Sequence, residues 1–69
     1  MGNMTLLKEF IERSGISLTN IAKKLNITYV ALNGKLKGKF AFTLDEALLL
    51  KKILGLTQSE WNAVFDEEE

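Results

Sequence analysis

The sequence predicts an all-α fold, a compact five-helix bundle that forms a single domain. Three observations lead to this prediction. The 69 residues contain no proline, the apolar residues recur at helical spacing without sustained strand-like alternation, and residues that begin or end helices bracket each apolar segment. A chain of this length forms one domain with a small core. We place that domain at residues 1–65 and a separate acidic tail at residues 66–69.

The first two predicted helices are delimited by capping residues. Asn3 or Thr5 begins the first helix and Gly15 ends it. Ser17 is suited to cap the second helix, which extends to about Leu25, because its hydroxyl can accept a free N–H group there. One apolar face of each helix is expected to lie in the core; these residues are Leu6, Leu7, Phe10, Ile11, Ile21, Ala22 and Leu25.

The third predicted helix follows a short turn. Asn26 is the best residue other than glycine for the left-handed backbone expected at the turn. Thr28 can cap the helix, Leu32 and Leu36 give it one inward-facing apolar stripe, and Gly38 ends it.

Two Thr-x-x-Glu capping boxes begin the last two helices, at 43–46 and at 57–60. Gly55 ends the fourth helix after Leu54. Phe40 and Phe42 lie in the connection before the fourth helix, and we expect both rings to fill gaps in the core.

The net charge of zero hides a segregation of charge along the chain. Between Arg13 and Lys52 there are eight basic residues and two acidic ones, whereas no basic residue follows Lys52. A basic body with an acidic tail is typical of nucleic-acid contact. The alternative interpretation is a solvated, lysine-rich surface.

Other residue types exclude several functions. The chain has no Cys and no His, so disulfides, thiolate chemistry and nearly all zinc sites are excluded. We expect no metal, no cofactor and no small-molecule substrate, because no nucleophile–base arrangement and no glycine-rich phosphate loop is present. The protein is therefore expected not to be an enzyme. It has no signal peptide and no apolar run long enough for a membrane helix, so we expect a soluble, cytoplasmic protein.

Residues 17–38 have the spacing of a helix-turn-helix. In that motif the second helix enters the major groove of DNA and the first crosses the backbone. Ala22 is a small residue at the expected helix crossing. Thr28 lies where its hydroxyl and the free N–H groups of the helix start can meet a phosphate.

The chain resembles the Cro and lambdoid-repressor (XRE-type) family over about residues 5–65, and it looks closest to small regulators of phages that infect Gram-positive bacteria. The residues that carry the resemblance are Leu7, Phe10, Gly15, Ile16, Ser17, Ile21, Ala22, Leu25, Asn26, Ile27, Thr28, Leu32, Gly38, Lys39, Leu44, Leu50, Leu54, Gly55 and Leu56. The resemblance implies a lambda-repressor-like DNA-binding domain. It also implies a homodimer on palindromic operator DNA and control of transcription in a prokaryotic or phage-infected cell.

The resemblance also implies roles for individual residues. Thr28 would touch phosphate, and Tyr29 and Val30 would read base edges. The full set of expected DNA-binding residues is Ser17, Thr19, Thr28, Tyr29, Val30, Asn33, Lys35, Lys37 and Lys39, with the three lysines pairing with phosphates.

Leu18 and Gly34 depart from the family pattern, because relatives have polar residues at these positions. The departures favour an alternative function, in which the same fold binds a protein partner of antitoxin or antirepressor type. A glycine within a helix needs a reason, and close approach to a DNA backbone or to another helix would supply one.

The fourth predicted helix is apolar on more than one side, which suggests an interface. We therefore expect a homodimer formed by the last two helices, and the expected interface residues are Leu49, Ile53, Trp61 and Phe65. For Trp61 and Phe65, a place in the local core is an equally good interpretation. The acidic tail could compete with DNA for the lysines that follow Asn33.

Overall fold

Five helices follow one another with short connections. A computed structural model describes residues 3–65, and within this range there are no strands. The helices are α1 (Met4–Ser14), α2 (Leu18–Leu25), α3 (Tyr29–Leu36), α4 (Leu44–Leu54) and α5 (Gln58–Phe65). The predicted all-helical fold with five helices is thus confirmed. The predicted tail at 66–69 lies outside the described residues. None of the helices between residues 3 and 65 is both long and apolar enough to cross a membrane.

The helices begin where the capping side chains are. Four side chains accept an N–H group three residues further along, at 3.0–3.2 Å; they belong to Asn3, Ser17, Thr28 and Thr43. Thr5 lies inside α1, so Asn3 is the cap. Both predicted capping boxes form, since Glu46 and Glu60 accept the N–H groups of Thr43 and Thr57 in return. These bonds satisfy donors that have no partner within the helix.

The connection between α2 and α3 is three residues long. Asn26 has a φ of 61°, and within residues 3–65 it is the residue other than glycine with a positive φ. The N–H of Ile27 donates to the carbonyl of Ala22 at 3.0 Å, as in a Schellman motif. The prediction of a left-handed turn at Asn26 is confirmed, and the turn sets the direction in which α3 leaves α2.

The core lies where α1 to α4 meet, and α5 closes it against α1. Its buried residues are Leu7, Ile11, Ile21, Ala22, Leu25, Leu32, Leu36, Leu50 and Val64. The predicted inward stripe of Leu32 and Leu36 is confirmed. Phe10 is only partly buried, and the guanidinium of Arg13 lies 5.0 Å from its ring centroid.

Aromatic side chains attach α5 to the rest of the domain. The indole Nε1 of Trp61 donates to the carbonyl of Ala47 at 2.9 Å. The Phe65 ring lies 5.5 Å from the Trp61 ring and meets the Phe42 ring edge-on at 5.9 Å. Trp61 and Phe65, expected either at a dimer interface or in the local core, therefore pack inside the protomer.

Phe42 is partly buried, as expected for a residue that fills a gap in the core. Phe40 is 61% exposed, so the prediction that it fills the core is wrong. The physical reason is that the core side of this connection is already occupied by Phe42, whose ring meets Phe65.

Candidate nucleic-acid interface

Two helix starts lie on the surface formed by α2 and α3. The hydroxyl oxygen of Ser17 accepts the Asn20 N–H at 3.2 Å, and that of Thr28 accepts the Ala31 N–H at 3.0 Å. Because each oxygen acts as the acceptor, the O–H remains available to donate to an anion. Ser17, Thr19 and Thr28 are all exposed.

The first turn of α3 presents two large side chains to solvent. Tyr29 is 47% exposed and Val30 is 77% exposed. The exposure expected for Tyr29 is confirmed. Burial does not explain a valine at position 30, so its apolar surface is available for a partner.

Leu18 and Asn33 face each other across a depression of about 200 Å³ between α1, α2 and α3. Leu18 is partly buried and packs against the core. Its apolar side chain is therefore explained by packing. Asn33 is also partly buried, and Lys8 and Glu12 of α1 lie along the same depression. Asn33 therefore lies on the α1 side of α3.

Lys35 has an internal partner in place of the phosphate that we expected. Its Nζ lies 2.8 Å from Oε1 of Glu46 and donates to the carbonyl of Ala41 at 3.2 Å. Both side chains of the ion pair are only 13% exposed. The Nζ also lies 5.7 Å from the centroid of the Phe42 ring. We therefore remove Lys35 from the phosphate contacts, because its charge holds the connection between α3 and α4.

The carboxyl of Glu46 is adapted to this ion pair. Burial raises the pKa of the Glu46 carboxyl, but the hydrogen bond from Lys35, the Thr43 N–H and the nearby lysine charge outweigh burial and lower the pKa below its ordinary value. Glu46 is therefore ionised at neutral pH and joins the α4 capping box to α3.

Lys37 and Lys39 are exposed at the other end of α3. Gly38 between them has a φ of 86°. The N–H of Lys39 donates to the carbonyl of Gly34 at 2.9 Å, and that of Gly38 to the carbonyl of Lys35 at 3.1 Å. This Schellman motif fixes the backbone that holds the two lysines. On α2, Lys23 and Lys24 add two further exposed charges; these two were not among the expected contacts.

Gly34 is explained by a contact that the sequence did not reveal. A Cβ atom built at Gly34 would lie 2.9 Å from Cδ2 and Cε2 of the Phe40 ring. The close neighbour is thus an aromatic ring of the following connection, and not another helix. The sequence signal for Phe40 was a glycine inside a helix six residues before an exposed aromatic residue.

Residues 3–65 contain no group of three or more His, Cys, Asp or Glu side chains arranged to hold a metal ion. No protein-family model matches the chain, and neither the curated proteins nor the solved structures include a significant match. The function must therefore be argued from the surface of α2, α3 and the following connection.

Proposed function

We propose that the protein is a sequence-specific regulator of transcription that binds double-stranded DNA. In this proposal α2, the connection 26–28 and α3 act as a helix-turn-helix, and α3 enters the major groove. The observation that carries the proposal is the arrangement of α3. Its capped start exposes Thr28, Tyr29 and Val30, while Lys37 and Lys39 are exposed at its other end. The sequence resemblance to Cro and the lambdoid repressors supports the same proposal.

The size of α3 argues for a homodimer on DNA. Eight helical residues extend about 12 Å, which covers only three or four base pairs at about 3.4 Å each. The longest dimension of the Cα trace is 31 Å, whereas half-sites one helical turn apart are separated by about 34–36 Å. Two copies are therefore needed to read a palindromic site.

An apolar face of α4 is suited to join the two copies. Leu44, Leu48 and Leu49 are 68%, 45% and 39% exposed, and they follow one another at helical spacing on one face. Ile53 is partly buried and continues this face one turn after Leu49. We therefore propose a dimer interface on α4 that retains Leu49 and Ile53 of the expected set.

A second candidate function is binding of a protein partner. The observation that favours it is the amount of exposed apolar surface at Val30, Phe40 and the leucines of α4. Salt dependence separates the two candidates, because phosphate contacts release counterions and make affinity fall steeply with salt.

The proposed function is tested by fluorescence anisotropy with labelled duplexes of about two helical turns, between about 50 and 200 mM salt. The wild type is expected to bind with a steep negative slope of log affinity against log salt. K37Q and K39Q should each lower that slope by about 0.9, the value for one phosphate contact. K52Q, which removes the same charge from the end of α4, is the matched control and should leave the slope unchanged. Absence of binding at the lowest salt would refute the proposal.

The proposed dimer is tested by sedimentation equilibrium. L48K should convert the wild-type dimer to monomer, because it places a charge in the apolar face of α4. V30K is the matched control, since Val30 is also apolar and exposed but lies on α3. A wild type that sediments only as monomer at high concentration would contradict the α4 interface.

A further inference from the structure

The outer face of α3 lacks a side chain at its centre. Leu32 and Leu36 point into the core. Gly34 lies two positions from each of them, about 200° around the helix, so its Cα–H points away from the core. Val30 lies one turn before Gly34 on this outer face. A side chain at position 34 would therefore face any partner that binds α3 from outside.

The ring of Phe40 occupies the space of that missing side chain. Its Cδ2 and Cε2 atoms lie 2.9 Å from the place where a Cβ at Gly34 would be. The ring covers Gly34, which is buried although it points outward. Phe40 itself remains 61% exposed. The outer face of α3 thus presents an aromatic surface that comes from a residue outside the helix.

The backbone on both sides of Phe40 is held to α3. On one side the Lys39 N–H donates to the carbonyl of Gly34 at 2.9 Å. On the other side the carbonyl of Ala41 accepts from Nζ of Lys35 at 3.2 Å. These two bonds restrict the path of the connection, so the ring is positioned before a partner arrives.

We propose that Phe40 is a specificity-determining residue, which forms with Val30 an apolar strip that contacts the C5-methyl group of thymine. The proposal rests on the proposed DNA-binding function. In the major groove the thymine methyl is the apolar feature that distinguishes an A·T pair, and phenylalanine is suited to contact it. The flanking Lys37 and Lys39 can pair with phosphates and so place the strip over base edges.

The test compares pairs of duplexes that differ only in this methyl group. The first pair consists of an A·T duplex and the same duplex with uracil in place of thymine. The second consists of a G·C duplex and the same duplex with 5-methylcytosine in place of cytosine. We expect the wild type to bind the methylated member of each pair about fourfold more tightly for each methyl group covered, as for the burial of one methylene.

F40A should reduce both ratios toward one, and F40L should retain most of the preference because it keeps apolar surface at the strip. L48A, which removes an exposed apolar side chain from α4, is the matched control and should leave the ratios unchanged. Circular dichroism checks that each variant is folded.

Each outcome decides between the two proposals. Equal binding of both members of each pair by the wild type would overturn the role of Phe40 and leave DNA binding intact. A methyl preference that persists unchanged in F40A would do the same. If none of the four duplexes binds at low salt, the proposed function fails, and the role of Phe40 fails with it.

Discussion

The contact between Gly34 and Phe40 makes a quantitative prediction for a double-mutant cycle. In a helix, alanine is more favourable than glycine by about 1 kcal/mol, so G34A alone should stabilise the protein if nothing opposes it. The new Cβ would lie 2.9 Å from two ring carbons, and carbon atoms need about 3.5–4.0 Å. The ring must therefore move away from α3.

The cost of that movement is bounded by the burial of Phe40. The ring is 61% exposed, so about two-fifths of a side chain that buries 150–250 Å² when enclosed is in contact, or about 80 Å². At about 25 cal/mol per Å² this contact contributes at most about 2 kcal/mol. G34A should therefore change the stability of the wild type by between about zero and 1 kcal/mol in the destabilising direction.

In the F40A background there is no ring to move, so G34A should stabilise by about 1 kcal/mol. The coupling energy between the two positions is then about 1–2 kcal/mol. Urea unfolding, followed by Trp61 fluorescence and by circular dichroism, measures all four proteins. A stabilisation by G34A that is the same in both backgrounds within about 0.3 kcal/mol would refute the contact.

Three further predictions concern single features. T28A should destabilise the protein by about 1 kcal/mol in urea unfolding because the N-cap of α3 is lost, and T28S should restore stability; an equally stable T28A would contradict the cap. At neutral pH, E46Q should be less stable by about 0.5–1 kcal/mol, since the ion pair with Lys35 is lost. Folding lowers the pKa of Glu46, so its contribution is present above pH 4.5 and should disappear as the pH falls below about 4.5; a difference from wild type that persists at low pH would contradict this. Deletion of residues 66–69 should tighten non-specific DNA binding at low salt, because four negative charges are removed, and unchanged affinity in anisotropy measurements would count against self-competition.

The helix boundaries could be predicted because their causes are local. Ser17, Thr28 and Thr43 each bond an N–H only three residues away. Asn26 and Gly38 end α2 and α3 through bonds within one or two turns of the chain. Such interactions depend on residue type and spacing, both of which are visible in the sequence.

Lys35 and Phe40 could not be placed from the sequence because their contacts depend on the path of a connection. The partner of Lys35 lies eleven residues further along. Position and charge alone made Lys35 look equivalent to Lys37 and Lys39, but only the latter two are exposed. Phe40 has the composition of a core residue, yet its ring covers Gly34 on the outer face of α3.

Selection of binding sites from random duplex DNA tests DNA recognition most directly. The protein is incubated with a pool of random duplexes, and the bound fraction is amplified and sequenced over several rounds. We predict an enriched palindrome with two half-sites about one helical turn apart, in which thymine is over-represented at positions facing α3. Retention of the pool without any enriched sequence, or no retention at low salt, would contradict a sequence-specific regulator.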